Sequence, residues 1–125
     1  MLSVAESKNI QSDLIPKIAT GFCGGLSRTC GMCGAVSGAV MAMNIFYGRD
    51  TTAMPYEKSY APVQKMIKMF VEKFGSTNCK ELIGVDLGTE EGRKRFHVNN
   101  LREKCRNITE EATGMAMSLI EEESL

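Results

Sequence analysis

Val63, Met66, Ile67, Phe70, Val71 and Phe74 recur at alternating steps of three and one residues, and Gly75 follows them. That spacing lines one face of an α-helix and suits no strand, in which apolar positions alternate. The pattern returns near the C-terminus. There Val98, Leu101, Cys105, Ile108, Ala112, Met115 and Leu119 mark one apolar seam through a helix predicted over roughly 96–122. A third helix is predicted from Gly34 to Tyr47, with Val36, Val40, Met43 and Tyr47 on its stripe and Gly48 as a left-handed terminator. Shorter helices are predicted after Ser12-Asp13, carrying Leu14, Ile15, Ile18 and Phe22, and from Thr89-Glu90-Glu91. Asn78-Cys79-Lys80-Glu81 has the offset of a capping box, which sets Cys79 at the first position of another short helix. Leu82 to Leu87 is the one weak strand candidate. The fold class is therefore all-α: a compact bundle of four to five helices, one domain over residues 1–125.

Composition narrows the function. Lys+Arg and Asp+Glu each number 15, and a chain without cationic excess is not a duplex nucleic-acid binder. Met1 to Lys8 has no basic leader and no apolar run, so it does not read as a signal peptide. Thr29 to Tyr47 is uncharged, but its Gly, Ser, Cys and Asn residues make it a buried helix rather than a membrane insertion. The expected compartment is cytoplasmic. There, five cysteines serve as reduced thiols, metal ligands or exchanging redox partners rather than as a fixed disulfide framework.

Cys30-Gly31-Met32-Cys33 is a C-x-x-C immediately ahead of a helix, and Cys79 opens another. Helix N-termini favour thiolate, the species that attacks disulfides and binds metals. Lys80 is positioned to strengthen that effect at Cys79. Two readings follow. Cys33 and Cys79 act as redox thiols with Cys105 as partner and Cys30 as a fourth member. Alternatively, Cys30, Cys33, Cys79 and Cys105 hold zinc or an iron–sulfur cluster. Their spacing matches neither a zinc ribbon nor a compact ferredoxin run. Cys105 on its apolar seam also suits the role of a small hydrophobe.

Gly21-Phe22-Cys23-Gly24-Gly25-Leu26-Ser27-Arg28 and Cys33-Gly34-Ala35-Val36-Ser37-Gly38 precede Phe74-Gly75-Ser76-Thr77-Asn78-Cys79, and Cys105 comes late. In this combination the chain resembles the redox-active C_GCAxxG_C_C family from Leu14 onward. The resemblance implies a redox protein with four characteristic cysteines, of which Cys33, Cys79 and Cys105 match three. It also implies kinship with a module of split-Soret cytochromes, for which an iron–sulfur site has been proposed. The family's first Cys lies in an N-terminal helix; Met1 to Ala5 resembles the tail of that helix and carries none. The resemblance then leaves an upstream start, Cys23 or Cys30 to complete the set. An incomplete N-terminal helix would leave apolar surface open to a homodimer or a redox partner, the basis of a third reading as a helical interaction domain.

His97 is the only histidine and reads as a solvated helix residue, which removes His-based triads and His clusters. Arg93, Lys94, Arg95, Arg102, Lys104 and Arg106 decorate a polar face, with the capacity to meet an anionic ligand or favour the Cys105 thiolate.

Overall fold

The computed structural model describes residues 1–123, and among these the chain is all-α. Seven helices follow in order: α1 (Leu2–Ser7), α2 (Leu14–Ala19), α3 (Gly34–Tyr47), α4 (Glu57–Phe74), α5 (Cys79–Ile83), α6 (Glu90–Val98) and α7 (Arg102–Glu123). A 3₁₀ turn (Thr20–Phe22) and a kinked turn (Cys23–Arg28) connect α2 toward α3. The long helices α3, α4 and α7 pack pairwise into the core, and α1 closes one end against α3 and α7.

The expected stripes form that core. Val36 and Met43 of α3, Met66 and Phe70 of α4, and Ile108, Ala112 and Leu119 of α7 are buried together. Tyr47 reaches into it, and its hydroxyl donates to the Leu119 carbonyl at 2.8 Å. Lys65–Glu122 (2.9 Å) and Lys73–Glu111 (2.8 Å) join α4 to α7 at the surface, where such pairs contribute little. The core carries the stability. Phe70→Ala, at a fully buried position, is expected to lower unfolding free energy by about 3–5 kcal/mol. A urea unfolding curve with an unchanged slope checks this.

The helix ends follow their local chemistry. The Asn78 side chain accepts from Glu81 N–H at 3.2 Å, as the capping box requires. The Glu81 carboxylate turns to the Ser76 hydroxyl instead of back to Asn78. Thr89 caps α6 through Gly92 N–H at 2.9 Å. Gly48 corrects the expectation of a left-handed end: its φ is −65°. Glycine is needed there for closeness, since a Cβ would lie 2.4 Å from the Asn44 carbonyl oxygen.

Three further differences have physical causes. The single helix expected over 96–122 breaks at Asn99-Asn100, where Asn100 takes φ +50°, a conformation Asn tolerates better than most residues. The break turns Val98 off the seam, and it is 74% exposed. The helix count therefore exceeds four to five, and α1, too short to show a period, adds another. Leu82 to Leu87 forms no strand, and Leu82, Ile83 and Val85 bury in the core from a helix and its exit turn. No helix among the described residues is long and apolar enough to cross a membrane.

Candidate functional site

The segment between α2 and α3 has an uncommon backbone. Gly24, Gly25, Leu26 and Ser27 all lie at φ 58° to 64°, and Arg28 and Cys30 also have positive φ. A left-handed conformation costs a non-glycine residue about 1–2 kcal/mol, so local bonds must hold it. Ser27 Oγ donates to Gly21 O (2.7 Å), and Thr29 Oγ1 to Leu26 O (2.9 Å). Gly31 N–H donates to Gly25 O at 3.0 Å.

The turn then zips onto the approach to α5. Cys33 N–H donates to Thr77 O (2.7 Å) and Cys79 N–H to Gly31 O (2.9 Å). The Asn78 amide donates to Cys30 O at 2.6 Å. Met32 and Asn78 form a single antiparallel bridge. These bonds hold Cys33, the N-cap of α3, beside Cys79, the first residue of α5. Two glycines bring the rest of the turn in. A Cβ on Gly25 would sit 2.4 Å from Cys79 Cβ, so the bare backbone of the turn lies against that side chain. A Cβ on Gly34 would meet Cys23 Cα at 3.3 Å, which keeps Cys23 on the start of α3.

The result is a cavity of about 420 Å³ bordered by Cys23, Cys33, Cys79 and Cys105. The four cysteines come from four elements: the kinked turn, the N-cap of α3, α5 and α7. Val4, Ala39, Leu87 and Phe96 supply apolar walls, and Arg102 is the only charged side chain on the lining. Cys33, Cys79 and Cys105 thus share a cavity, whereas Cys30 does not border it. The Cys30 thiol instead bonds to the Asp86 carboxylate, which pushes the thiol up and holds Asp86 below the usual carboxylate range. Cys23 takes the fourth place on the lining; the Gly24-Gly25 pair behind it was the signal for a turn compact enough to do this. His97 is exposed on α6, with its ring edge against Phe96, and borders no thiol.

The electrostatics depart from the helix-terminus expectation at Cys79. Burial, followed by the neighbouring Cys33, Cys105 and Cys30, pushes its thiol up to about 11. Desolvation opposes the charged form more strongly than a five-residue helix can favour it. Lys80 acts on Cys30 instead. Cys105 is also raised, by burial first and Cys33 second, with Lys104 and Arg102 opposing. The folded state therefore holds the Cys79 proton more tightly than the unfolded chain, whose thiol titrates near 9.0. Stability from this group is full below pH 9 and is lost as pH rises toward about 11. Site-resolved alkylation with iodoacetamide should accordingly show Cys79 labelling climb with a midpoint near 11, and a midpoint near 9 would contradict the burial argument.

The donor set does not fit zinc or an iron–sulfur cluster. Tetrahedral zinc needs thiolate sulfurs converging to about 2.3 Å from one point. Among the described residues no group of three or more His, Cys, Asp or Glu side chains is arranged to hold a metal ion. The thiols line a common space without closing on one centre.

A family profile described as "Putative redox-active protein (C_GCAxxG_C_C)" matches residues 1–119. The chain is also similar to an uncharacterised protein of Archaeoglobus fulgidus, 28% identical over 132 aligned positions that cover 98% of this chain and 82% of that protein. No solved structure matches it. With thiols from four separate elements around one cavity and a profile match over almost its whole length, the chain belongs to the C_GCAxxG_C_C family.

Proposed function

We propose that the protein exchanges thiols and disulfides in the cavity between α3, α5 and α7, with Cys33 as attacking thiol and Cys105 as resolving thiol. Cys33 and Cys105 are both half-buried, whereas Cys79 is buried under the turn. The observation that carries this reading is the shared cavity. Cys33 gives its proton to solvent and its sulfur attacks one sulfur of a substrate disulfide. The substrate S–S bond breaks, one half leaves as thiolate and takes up a proton, and the other half stays on Cys33 as a mixed disulfide. Cys105 then loses its proton and attacks Cys33 Sγ. A Cys33–Cys105 bond forms and the second half leaves as a thiol. Two protein thiols lose two electrons and two protons, and the substrate disulfide gains them. A dithiol reductant restores the starting state, and a reducing compartment such as the cytoplasm supports the cycle.

Protein purified without oxygen tests this against a cluster-bearing electron carrier. Colourless protein that loses two thiols for each equivalent of added disulfide is the expected result. Stoichiometric iron with a visible charge-transfer band would overturn it in favour of an iron–sulfur centre, and stoichiometric zinc would favour a metal module.

A second reading, an interaction domain that self-associates, rests on the exposure of Leu14, Ile18 and Phe22 around the N-terminal helices. Light scattering that returns a monomer at all concentrations would remove it.

A further inference from the structure

One face of α7 meets the cavity in a single helical register. Arg102, Cys105, Thr109 and Thr113 follow one another at steps of three, four and four residues, and all four border the same space. Arg102 is the one charged side chain on the lining, apart from the Met1 α-amino group at its other edge beside Cys23. It takes part in none of the ion pairs among the described residues, which join Lys65 to Glu122, Lys73 to Glu111 and Arg106 to Glu103. The two hydroxyls on this face are already spent as donors: Thr109 Oγ1 gives its proton to Cys105 O at 2.9 Å and Thr113 Oγ1 to Thr109 O at 2.8 Å. The guanidinium is therefore the one strong donor that this face of α7 leaves for a ligand.

A guanidinium is a planar fork that matches a carboxylate with two parallel bonds. Side chains three residues apart on a helix have Cβ atoms roughly 5–6 Å from each other, so the guanidinium and the Cys105 thiol address groups only a few bonds apart. The cavity, at about 420 Å³, falls within the range of small-molecule pockets, and its Val4, Leu87 and Phe96 walls suit a compact hydrocarbon body. We propose that Arg102 makes the cavity selective for small disulfides that carry a carboxylate a few bonds from sulfur. The carboxylate lies on Arg102 while the S–S bond rests against Cys33 and Cys105. The assignment rests on the exchange reading above and adds the substrate class to it. The electron balance is unchanged, because the carboxylate is bound and not consumed. The residue is exposed, so its field reaches an incoming anion at the mouth and is screened by salt.

The test uses the fully reduced chain and two chromogenic disulfides: 5,5′-dithiobis(2-nitrobenzoate), which carries carboxylates, and neutral 4,4′-dithiodipyridine. Single-turnover rates of internal-bridge formation, read by mass spectrometry of quenched non-reduced peptides, are taken for wild type, Arg102→Gln, Arg102→Lys and Arg106→Gln. The last lies on the same helix, pairs with Glu103 and does not border the cavity. The neutral probe reports any change in thiol reactivity that follows from removing a cation near Cys105, so the ratio of the two rates isolates the carboxylate contact. Arg102→Gln is expected to lower the carboxylate-to-neutral ratio about tenfold. Arg102→Lys should fall between it and wild type, Arg106→Gln should stay within about twofold, and added salt should shrink the wild-type ratio. An unchanged ratio in Arg102→Gln, with both probes still oxidising Cys33 and Cys105, overturns the selectivity and leaves thiol exchange standing. If Cys33→Ser and Cys105→Ser form an internal bridge with both probes as fast as wild type does, the exchange reading itself has failed.

Discussion

Cys33→Ser should reduce the rate of intramolecular disulfide formation on exposure to a small disulfide by at least about 100-fold, since a serine hydroxyl does not attack sulfur at neutral pH. The other four thiols still react with added reagent, so the readout is the internal bridge and not total thiol loss. Mass spectrometry of non-reduced peptides supplies it. The change of sulfur for oxygen at a half-buried N-cap leaves the helix-start backbone bonds intact: Cys33 N–H still donates to Thr77 O, and Cys33 O still accepts from Val36 N–H at 3.0 Å. Stability should move by less than about 1 kcal/mol, which separates lost chemistry from lost fold. A variant that forms an internal bridge at the wild-type rate would assign the attack to another thiol.

Gly25→Ala is the second large effect. The new methyl carbon would stand 2.4 Å from Cys79 Cβ and 2.9 Å from Cys79 Sγ, on a residue with φ +64°. The left-handed backbone costs a side chain about 1–2 kcal/mol, and forced overlap in packed surroundings about 1–3 kcal/mol. The variant should lose about 2–5 kcal/mol of stability, or the turn should lift from Cys79 to relieve the overlap. Chemical unfolding reads the first, and faster alkylation of Cys79 reads the second. Unchanged stability with unchanged Cys79 labelling would mean that the turn does not press on this side chain.

The helical class was legible because Val63 through Phe74 and the α7 seam hold their period over several turns, and burial of one face is what a bundle requires. What was not legible came from conformations the sequence signals only weakly. Asn99-Asn100 carries no proline or glycine, so the break between α6 and α7 passed as continuous helix. Leu26, Ser27 and Arg28 are poor candidates for positive φ, and their left-handed run depends on bonds to Gly21 and Gly31 that form only after the chain has folded back. That run decides which cysteines meet. It carries Cys23 to the cavity and turns Cys30 toward Asp86, although Cys30 is the residue that completes the C-x-x-C. The helix-start position of Cys79 was readable from Asn78 and Glu81, while its raised thiol was not, because it depends on burial, with Gly25 packed against the side chain, and on the nearby Cys33, Cys105 and Cys30. Arg102 looked like one cation among six on a polar face. Its separation from the others rests on the register of α7 against the cavity.

Disulfide mapping of anaerobically prepared protein after one equivalent of a small disulfide bears most directly on the proposed cavity chemistry. The account predicts one internal bridge, between Cys33 and Cys105, with Cys30 recovered as a free thiol. A bridge from Cys30 to Cys33, or adducts on single cysteines with no internal bridge, would contradict it.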